Sequence, residues 1–319
     1  MTEPFSSFMQ RALYDPQRGY YTTRIKTVGA RGDFSTSATL SPLLGKAVAK
    51  WLDDEAAHTG VRTIIEVGGG DGSLMNAVLK ALGWWQRRRF EVFMVDASPI
   101  LRDQQRRNLG GRVKAWFKTL PEALAACEGR ALIFHNELLD AFPVDLVQAS
   151  EAAWHEVWLR HEGGSVREEL RPLAIDPGTF CVLNAKPAGR CELATAVHAW
   201  LGQWLPLWKA GAMLTIDYGD LFPTLYHRRP HGTLRAYLFQ QRLTGPEVYM
   251  NPGRQDITCD VNFTDLRAWL EQAGCHETTF ETQAAFIRNR VAVPAAAEAA
   301  FITHEDGAGQ AFKCLGVRR

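Results

Sequence analysis

Apolar positions fall into two rhythms along this chain. From residue 63 onward, short and nearly continuous apolar runs alternate with segments whose apolar residues recur every three or four positions. TIIEV, FEVFMVDAS, RVKAWF and ALIFHNELL read as buried strands. SLMNAVLKAL, SPILRDQQRRNL and PEALAAC read as the intervening helices, with Ser98 and Pro99 suited to open the second. Such a β-α-β-α-β-α-β order, with strands apolar on both faces, predicts an α/β fold: a mostly parallel sheet with helices on both sides. FSSFMQRAL and PLLGKAVAKWLDDEAAH predict helices ahead of it. Between about 143 and 190 the pattern changes to two-residue alternation: VDLVQAS, AAWHEVWLR and SVREELRPL predict hairpins, an excursion from the sheet. A helix is expected in CELATAVHAWLGQWLPLWKA and a strand in AMLTIDYG. Residues 220–260 read as a long loop, FTDLRAWLEQAG as a helix, and HETTFETQAAFI and AFKCLGVR as the last strands.

Composition narrows the function classes. The chain has 319 residues with 36 basic and 35 acidic side chains, so it lacks the cationic excess of a protein that lives on nucleic-acid phosphates. No apolar run reaches the ~18 residues of a membrane span. The first residues carry Glu3 and Asp15 and no apolar leader, and the six cysteines form no C-x-x-C pair or zinc spacing, so free thiols, no metal and a cytoplasmic location are expected.

The densest chemical signal is IIEVGGGDGSL. Glycines 68, 69, 70 and 72 permit a sharp turn after a strand, and the following helix aims backbone N–H groups at a ligand. A dinucleotide pyrophosphate uses such a turn, but Glu66 sits two residues before the first glycine, where a carboxylate disfavours a diphosphate and favours an ammonium. E-x-G-x-G-x-G resembles motif I of class I S-adenosylmethionine (SAM) methyltransferases, and Asp71 lies within it. Asp96 ends the next strand, where an acid can accept both ribose hydroxyls of SAM or of NAD; a helix-capping role is the structural alternative. Phe117, which ends RVKAWF, is counted with the cofactor residues. Asn136, Glu137 and Asp140 follow the fourth strand, at the edge where open α/β sheets bind ligands, and are the candidate catalytic residues. Three apart, Glu137 and Asp140 share a face if the segment turns helical; alternatively Asp140 caps a turn and Glu137 pairs with an arginine. Asp217-Tyr218-Gly219 reaches the same edge, as a ligand contact or a structural turn. His135 is expected to be a core residue and the basic run WWQRRRF a solvated helix end. The tryptophans 154, 158, 200, 204 and 208 fit either a partner interface or helix–sheet packing.

With those residues in place, the chain resembles the MidA family, whose mitochondrial members are methyltransferase assembly factors of respiratory complex I. The likeness runs through FMQRALYDPQRGYY, RGDFSTSATLSPLLGKAVAKW, IIEVGGGDGSLM, VDASPILRDQQ, IFHNELLDAFPV, LTIDYGD, GTLRAY and NPGRQDITCDVNF. It departs from the family at Ala38-Thr39, where Pro-Glu is usual, at Asp96, where Glu is common, and at Asp260, where His is frequent. The resemblance implies a class I, Rossmann-like methyltransferase domain with an antiparallel last strand. Its expected parts are a cap over 1–59, a SAM-binding half over 60–148, an insertion over 149–204 and the remaining sheet over 205–319. It also implies SAM as cofactor and a protein acceptor methylated on arginine or a related nitrogen, a respiratory-complex subunit among the candidates. Asp33, Phe34, Thr36 and Ser37 are expected to fold over the sulfonium and the amino acid end of SAM, against a plain capping loop ending at Ser41. Arg235 and Tyr237 are expected to shape an acceptor channel. Two other functions stay open: a SAM-binding assembly factor without turnover, and an NAD(P) oxidoreductase, against which Glu66 speaks.

Overall fold

The computed structural model describes residues 1–24, 42–239, 241–294, 297–304 and 307–319. Ala38-Thr39 and the expected SAM contacts Asp33, Phe34, Thr36 and Ser37 lie outside the described residues. The chain forms two compact units. Among the described residues, a sheet unit gathers 42–138, 201–218 and 270–319, and a companion unit gathers 1–24, 139–200 and 219–269.

The sheet unit carries seven strands: β1 (Thr63–Val67), β2 (Glu91–Val95), β3 (Ala115–Phe117), β4 (Arg130–Asn136), β5 (Ala210–Asp220), β6 (His276–Thr282) and β7 (Phe312–Arg318). Their order is β3-β2-β1-β4-β5-β7-β6. All neighbours are parallel except β7, which runs antiparallel to both β5 and β6. Helices α1 (Pro42–Thr59), α2 (Ser73–Ala81), α3 (Gly83–Arg87), α4 (Pro99–Leu109) and α5 (Leu120–Ala126) occupy the crossovers or precede them. Strands β1, β2, β4, β5 and β7 bury both faces, while the edge strands β3 and β6 are half-buried or exposed. Ile64, Met94, Leu132, Phe134, Leu214 and Ile216 join Leu44, Val48, Leu52 and Val78 of α1 and α2 in one core. Ile65, Phe93, Ile133 and Met213 are buried outside that cluster. This two-sided burial is why the strands read as continuous apolar runs. Trp204 and Trp208 are fully buried here, and the Trp208 indole donates to the Ala131 carbonyl at 3.1 Å, so packing is the use of these two rings. The WWQRRRF run is not the end of the preceding helix but mostly a separate short one, α3, with Trp85 76% exposed.

The companion unit is antiparallel. Its five-stranded sheet contains the three expected hairpin strands, Asp145–Ser150, Ala153–Glu162 and Ser165–Pro172, together with Thr2–Pro4 and Arg190–Leu193. The helix Phe5–Tyr14 lays Phe5, Phe8, Met9 and Leu13 into the core, where the Phe8 ring meets Tyr249 edge-on at 5.8 Å. The 220–260 segment is not a structureless loop: Arg235–Leu238, Gln241–Leu243 and Asp256–Thr258 pair into a small antiparallel sheet. HETTFETQAAFI divides in two. Thr282 ends β6 and caps the helix Gln283–Arg288, its hydroxyl accepting from the Ala285 N–H at 3.2 Å. No helix among the described residues is long and apolar enough to cross a membrane.

Candidate active site

In the sheet unit the strand order reverses at β1, whose neighbours β2 and β4 lead to opposite sides of the sheet. Ligands bind beyond the carboxyl ends of the strands at such a point. Every described candidate of this unit lies there. Gly68, Gly70 and Gly72 take φ of +68°, +54° and +86°, which turns the chain from β1 into α2. A Cβ on Gly68 would stand 2.7 Å from Leu138 Cδ1, and one on Gly69 would stand 2.8 Å from Glu66 Oε2. The bare backbone therefore lets two things approach closely: the segment after β4, and the Glu66 carboxyl. The turn is braced locally, with Asp71 Oδ1 accepting the Ser73 N–H at 2.9 Å.

Glu66 is 2% exposed and its Oε2 has no hydrogen-bond partner. Burial, then the negative charges of Asp71 and Asp96, push its carboxyl up to about 8, against a smaller opposing pull from the Met75 N–H. An acid held this way calls for a cation beside it. Asp96, 7% exposed, differs: Ser98 N–H donates to Oδ1 at 2.9 Å and Gln105 Nε2 to Oδ2 at 3.1 Å. Burial raises it to about 6, while these two donors and Arg102 pull it down. Each Asp96 oxygen has one such donor and can accept a second. Ser98, not Asp96, caps α4 through its hydroxyl. Phe117 closes the same edge: its carbonyl accepts the Asp96 N–H at 3.2 Å and its ring meets Phe93 at 5.2 Å.

At the end of β4, Asn136 Nδ2 donates to Glu137 Oε1 at 3.0 Å, and Glu137 adopts φ +51°, a left-handed conformation costly for a residue with a Cβ. Asp217, fully buried at the end of β5, accepts the Leu138 N–H at 3.1 Å and so pins the turn that carries Glu137. His135 is a core residue: it bonds Thr215 at 3.0 Å, and burial pushes it down to about 3, so it stays neutral. The expected helical face shared by Glu137 and Asp140 does not form, because the helical turn spans only Leu139–Ala141 and Glu137 lies outside it in a left-handed conformation.

Asp140 belongs to the companion unit, 8% exposed, with Thr258 Oγ1 donating to its Oδ2 at 2.8 Å; burial raises its carboxyl. Arg235 and Tyr237 are engaged in the same unit. Arg235 pairs with Asp260 at 2.6 Å and also donates to the Tyr237 hydroxyl at 3.2 Å.

Residues 43–281 match the family described as "Putative S-adenosyl-L-methionine-dependent methyltransferase". The chain belongs to this methyltransferase family. Among relatives, it is 27% identical over 293 residues to the protein named "Protein arginine methyltransferase NDUFAF7 homolog, mitochondrial" of Caenorhabditis elegans, covering 81% of this chain and 66% of that one. It is 26% identical to the human "Protein arginine methyltransferase NDUFAF7, mitochondrial", covering 82% and 64%. The chain thus spans about two thirds of the length of these relatives. The crystal structure of a protein from Burkholderia thailandensis described as a "likely methyl transferase", bound to S-adenosyl-homocysteine, superposes with a TM-score of 0.87 at 29% identity over 100% of this chain and 88% of that one.

The methyltransferase class, the class I fold and SAM as cofactor, all read from the sequence, are those of the family. The cytoplasmic expectation is overturned: these relatives are mitochondrial by name. The methyltransferase edge also uses residues that the sequence did not single out. Gln105 and Asn108 of α4 donate to the Gly70 and Asp71 carbonyls, each at 2.9 Å. One signal marked Gln105: it occupies the middle of an i, i+4, i+8 stripe, Leu101-Gln105-Leu109, where an apolar residue is expected.

Proposed function

We propose that this chain transfers the methyl group of SAM to a guanidinium nitrogen of a protein arginine. The observation that carries the cofactor half is Glu66, a buried carboxyl with an open oxygen beside a left-handed glycine turn. In this reading Glu66 faces the ammonium of the SAM amino acid end, the α2 N-terminus faces its carboxylate, and Asp96 accepts the ribose hydroxyls. SAM, when bound, supplies a methyl on a positively charged sulfur, which departs as a neutral thioether. What remains for the protein is alignment of the nucleophile and removal of one proton. A guanidinium keeps its protons at neutral pH and attacks poorly, so a carboxylate must orient it and take the proton that leaves the attacking nitrogen.

Glu137 is the proposed carboxylate, with Asn136 fixing its rotamer and Asp217 holding its turn. The relatives named protein arginine methyltransferases support arginine as the acceptor group, and the family resemblance points to a respiratory-complex subunit as the protein that carries it. Asp140 has its Thr258 partner in the companion unit, so the acceptor role rests on Glu137. Tritiated methyl transfer into mitochondrial lysate protein, followed by amino acid analysis, tests the reading. Methylarginine is expected, and Glu137→Gln should lower turnover at least ~10²-fold with SAM affinity unchanged. SAM binding without any methylarginine, or full turnover in Glu137→Gln, would remove it.

A further inference from the structure

Helix α4 lies against the glycine turn with a set of side chains that the cofactor reading leaves without a task. Gln105 is 0% exposed. Its Nε2 donates both to the Gly70 carbonyl at 2.9 Å and to Asp96 Oδ2 at 3.1 Å. Both partners are acceptors, which fixes the orientation of the amide: the nitrogen must face them. Gln105 Oε1 has no partner, so the side chain is held in a buried position with half of its polar capacity unspent. Asn108, one turn on, donates to the Asp71 carbonyl but not to Asp96. Leu109 packs beneath Gly72, where a Cβ would stand 3.0 Å from its Cδ1.

We propose that Gln105 is a positioning residue that ties the ribose-facing carboxylate of Asp96 to the glycine turn, so that the two ends of SAM are gripped as one unit. The physical reason is geometric. Asp96 follows β2 and the turn follows β1, and their backbones are already joined by the Gly68 N–H to the Val95 carbonyl at 2.8 Å. The Gln105 amide nitrogen adds a tie at the carboxylate itself, from Asp96 Oδ2 to the Gly70 carbonyl. It engages that carbonyl from the side of α4. A purely structural glutamine would stabilise the fold without influencing how Asp96 meets a ligand. The proposal rests on SAM occupying this turn.

Titratable and charged groups near Asp96 are Glu66 on β1, whose own carboxyl the Asp96 charge helps to raise, and Arg102 on α4, which lowers the proton affinity of Asp96. Gln105 also lowers it. SAM affinity should therefore fall as pH drops through the range in which Asp96 protonates, about 6, and removing the Gln105 donor should move that midpoint upward.

The test is calorimetric titration of SAM against the full chain and three variants between pH 5 and 8. Gln105→Met keeps the buried volume and removes the donor. It should weaken SAM about tenfold at pH 7 and shift the affinity midpoint to higher pH, with little change in melting temperature. Gln105→Glu, which sets a second carboxylate against Asp96, should weaken it further. Asn108→Ala should weaken SAM without moving the midpoint. In an Asp96→Asn background Gln105→Met should lose most of its effect. An unchanged midpoint in Gln105→Met, or full additivity with Asp96→Asn, would overturn the positioning role. Failure of the unaltered chain to bind SAM would instead sink the cofactor reading.

Discussion

The companion unit and the glycine-turn edge of the sheet unit handle acids in opposite ways. In the companion unit Glu192, Asp256 and Asp260 are each answered by groups of the same unit. Glu192 accepts the Thr233 and Leu234 N–H groups at 2.7 and 3.0 Å and the Thr233 hydroxyl at 3.1 Å. Asp260 pairs with Arg235 and Arg229, and Asp256 accepts the Tyr21 hydroxyl at 2.7 Å. At the edge of the sheet unit Glu66 has an open oxygen, and Asp96 keeps accepting capacity on both of its own. A saturated buried acid is part of the scaffold; an unsaturated one holds its free energy in reserve for a ligand. By this criterion we propose the carboxyl edge of β1, β2 and β4 as the site, with Glu192 and Asp260 as parts of the scaffold.

Substitutions on each side should separate along different axes. Glu192→Ala strands two buried backbone donors, so it should cost about 4 kcal/mol of stability, read from the denaturant midpoint, with SAM affinity of the folded fraction unchanged. Asp96→Ala should instead add an affinity loss of about 10²-fold, since two hydrogen bonds from the ligand to a charged group are removed, beside the stability lost when the buried Ser98 N–H is left without its acceptor. Glu66→Gln should weaken SAM about tenfold and also reveal the reserve directly. The Glu66 carboxyl titrates near 4.5 unfolded and near 8 folded. The folded state therefore holds the extra proton between those values, and the native carboxyl becomes a growing liability as pH rises through that window. Relative to the unaltered chain, Glu66→Gln should thus gain melting temperature from pH 5 to pH 8. The smallest effect is expected at α3, where Trp85→Ala should change stability by less than ~0.5 kcal/mol and leave SAM affinity untouched.

The α/β core was legible because burial on both faces forces unbroken apolar strands, and Glu66, the glycines and Asp96 were legible because each closes a strand. The 220–260 segment was not: its strands are only three or four residues long, too short for a two-residue alternation to register. HETTFETQAAFI misled because the β-branched Thr282 serves as both strand end and helix cap. Asp140 was placed on one helical face with Glu137 by their spacing, but a left-handed residue breaks the period that spacing assumes. Gln105 was not singled out because its helix has a composition that looks solvated, although it closes the VDASPILRDQQ segment and sits on the apolar stripe.

The central claim is that Glu66 waits for a cation. It is tested most directly by titrating SAM into the unaltered protein at pH 7 in two buffers of different ionisation enthalpy. Burial keeps Glu66 largely protonated before binding, and an ammonium beside it favours the ionised form. SAM should therefore bind with release of about one proton, absent in Glu66→Gln, while NAD gives no binding heat. SAM binding with no proton release, or NAD binding in its place, would contradict the account.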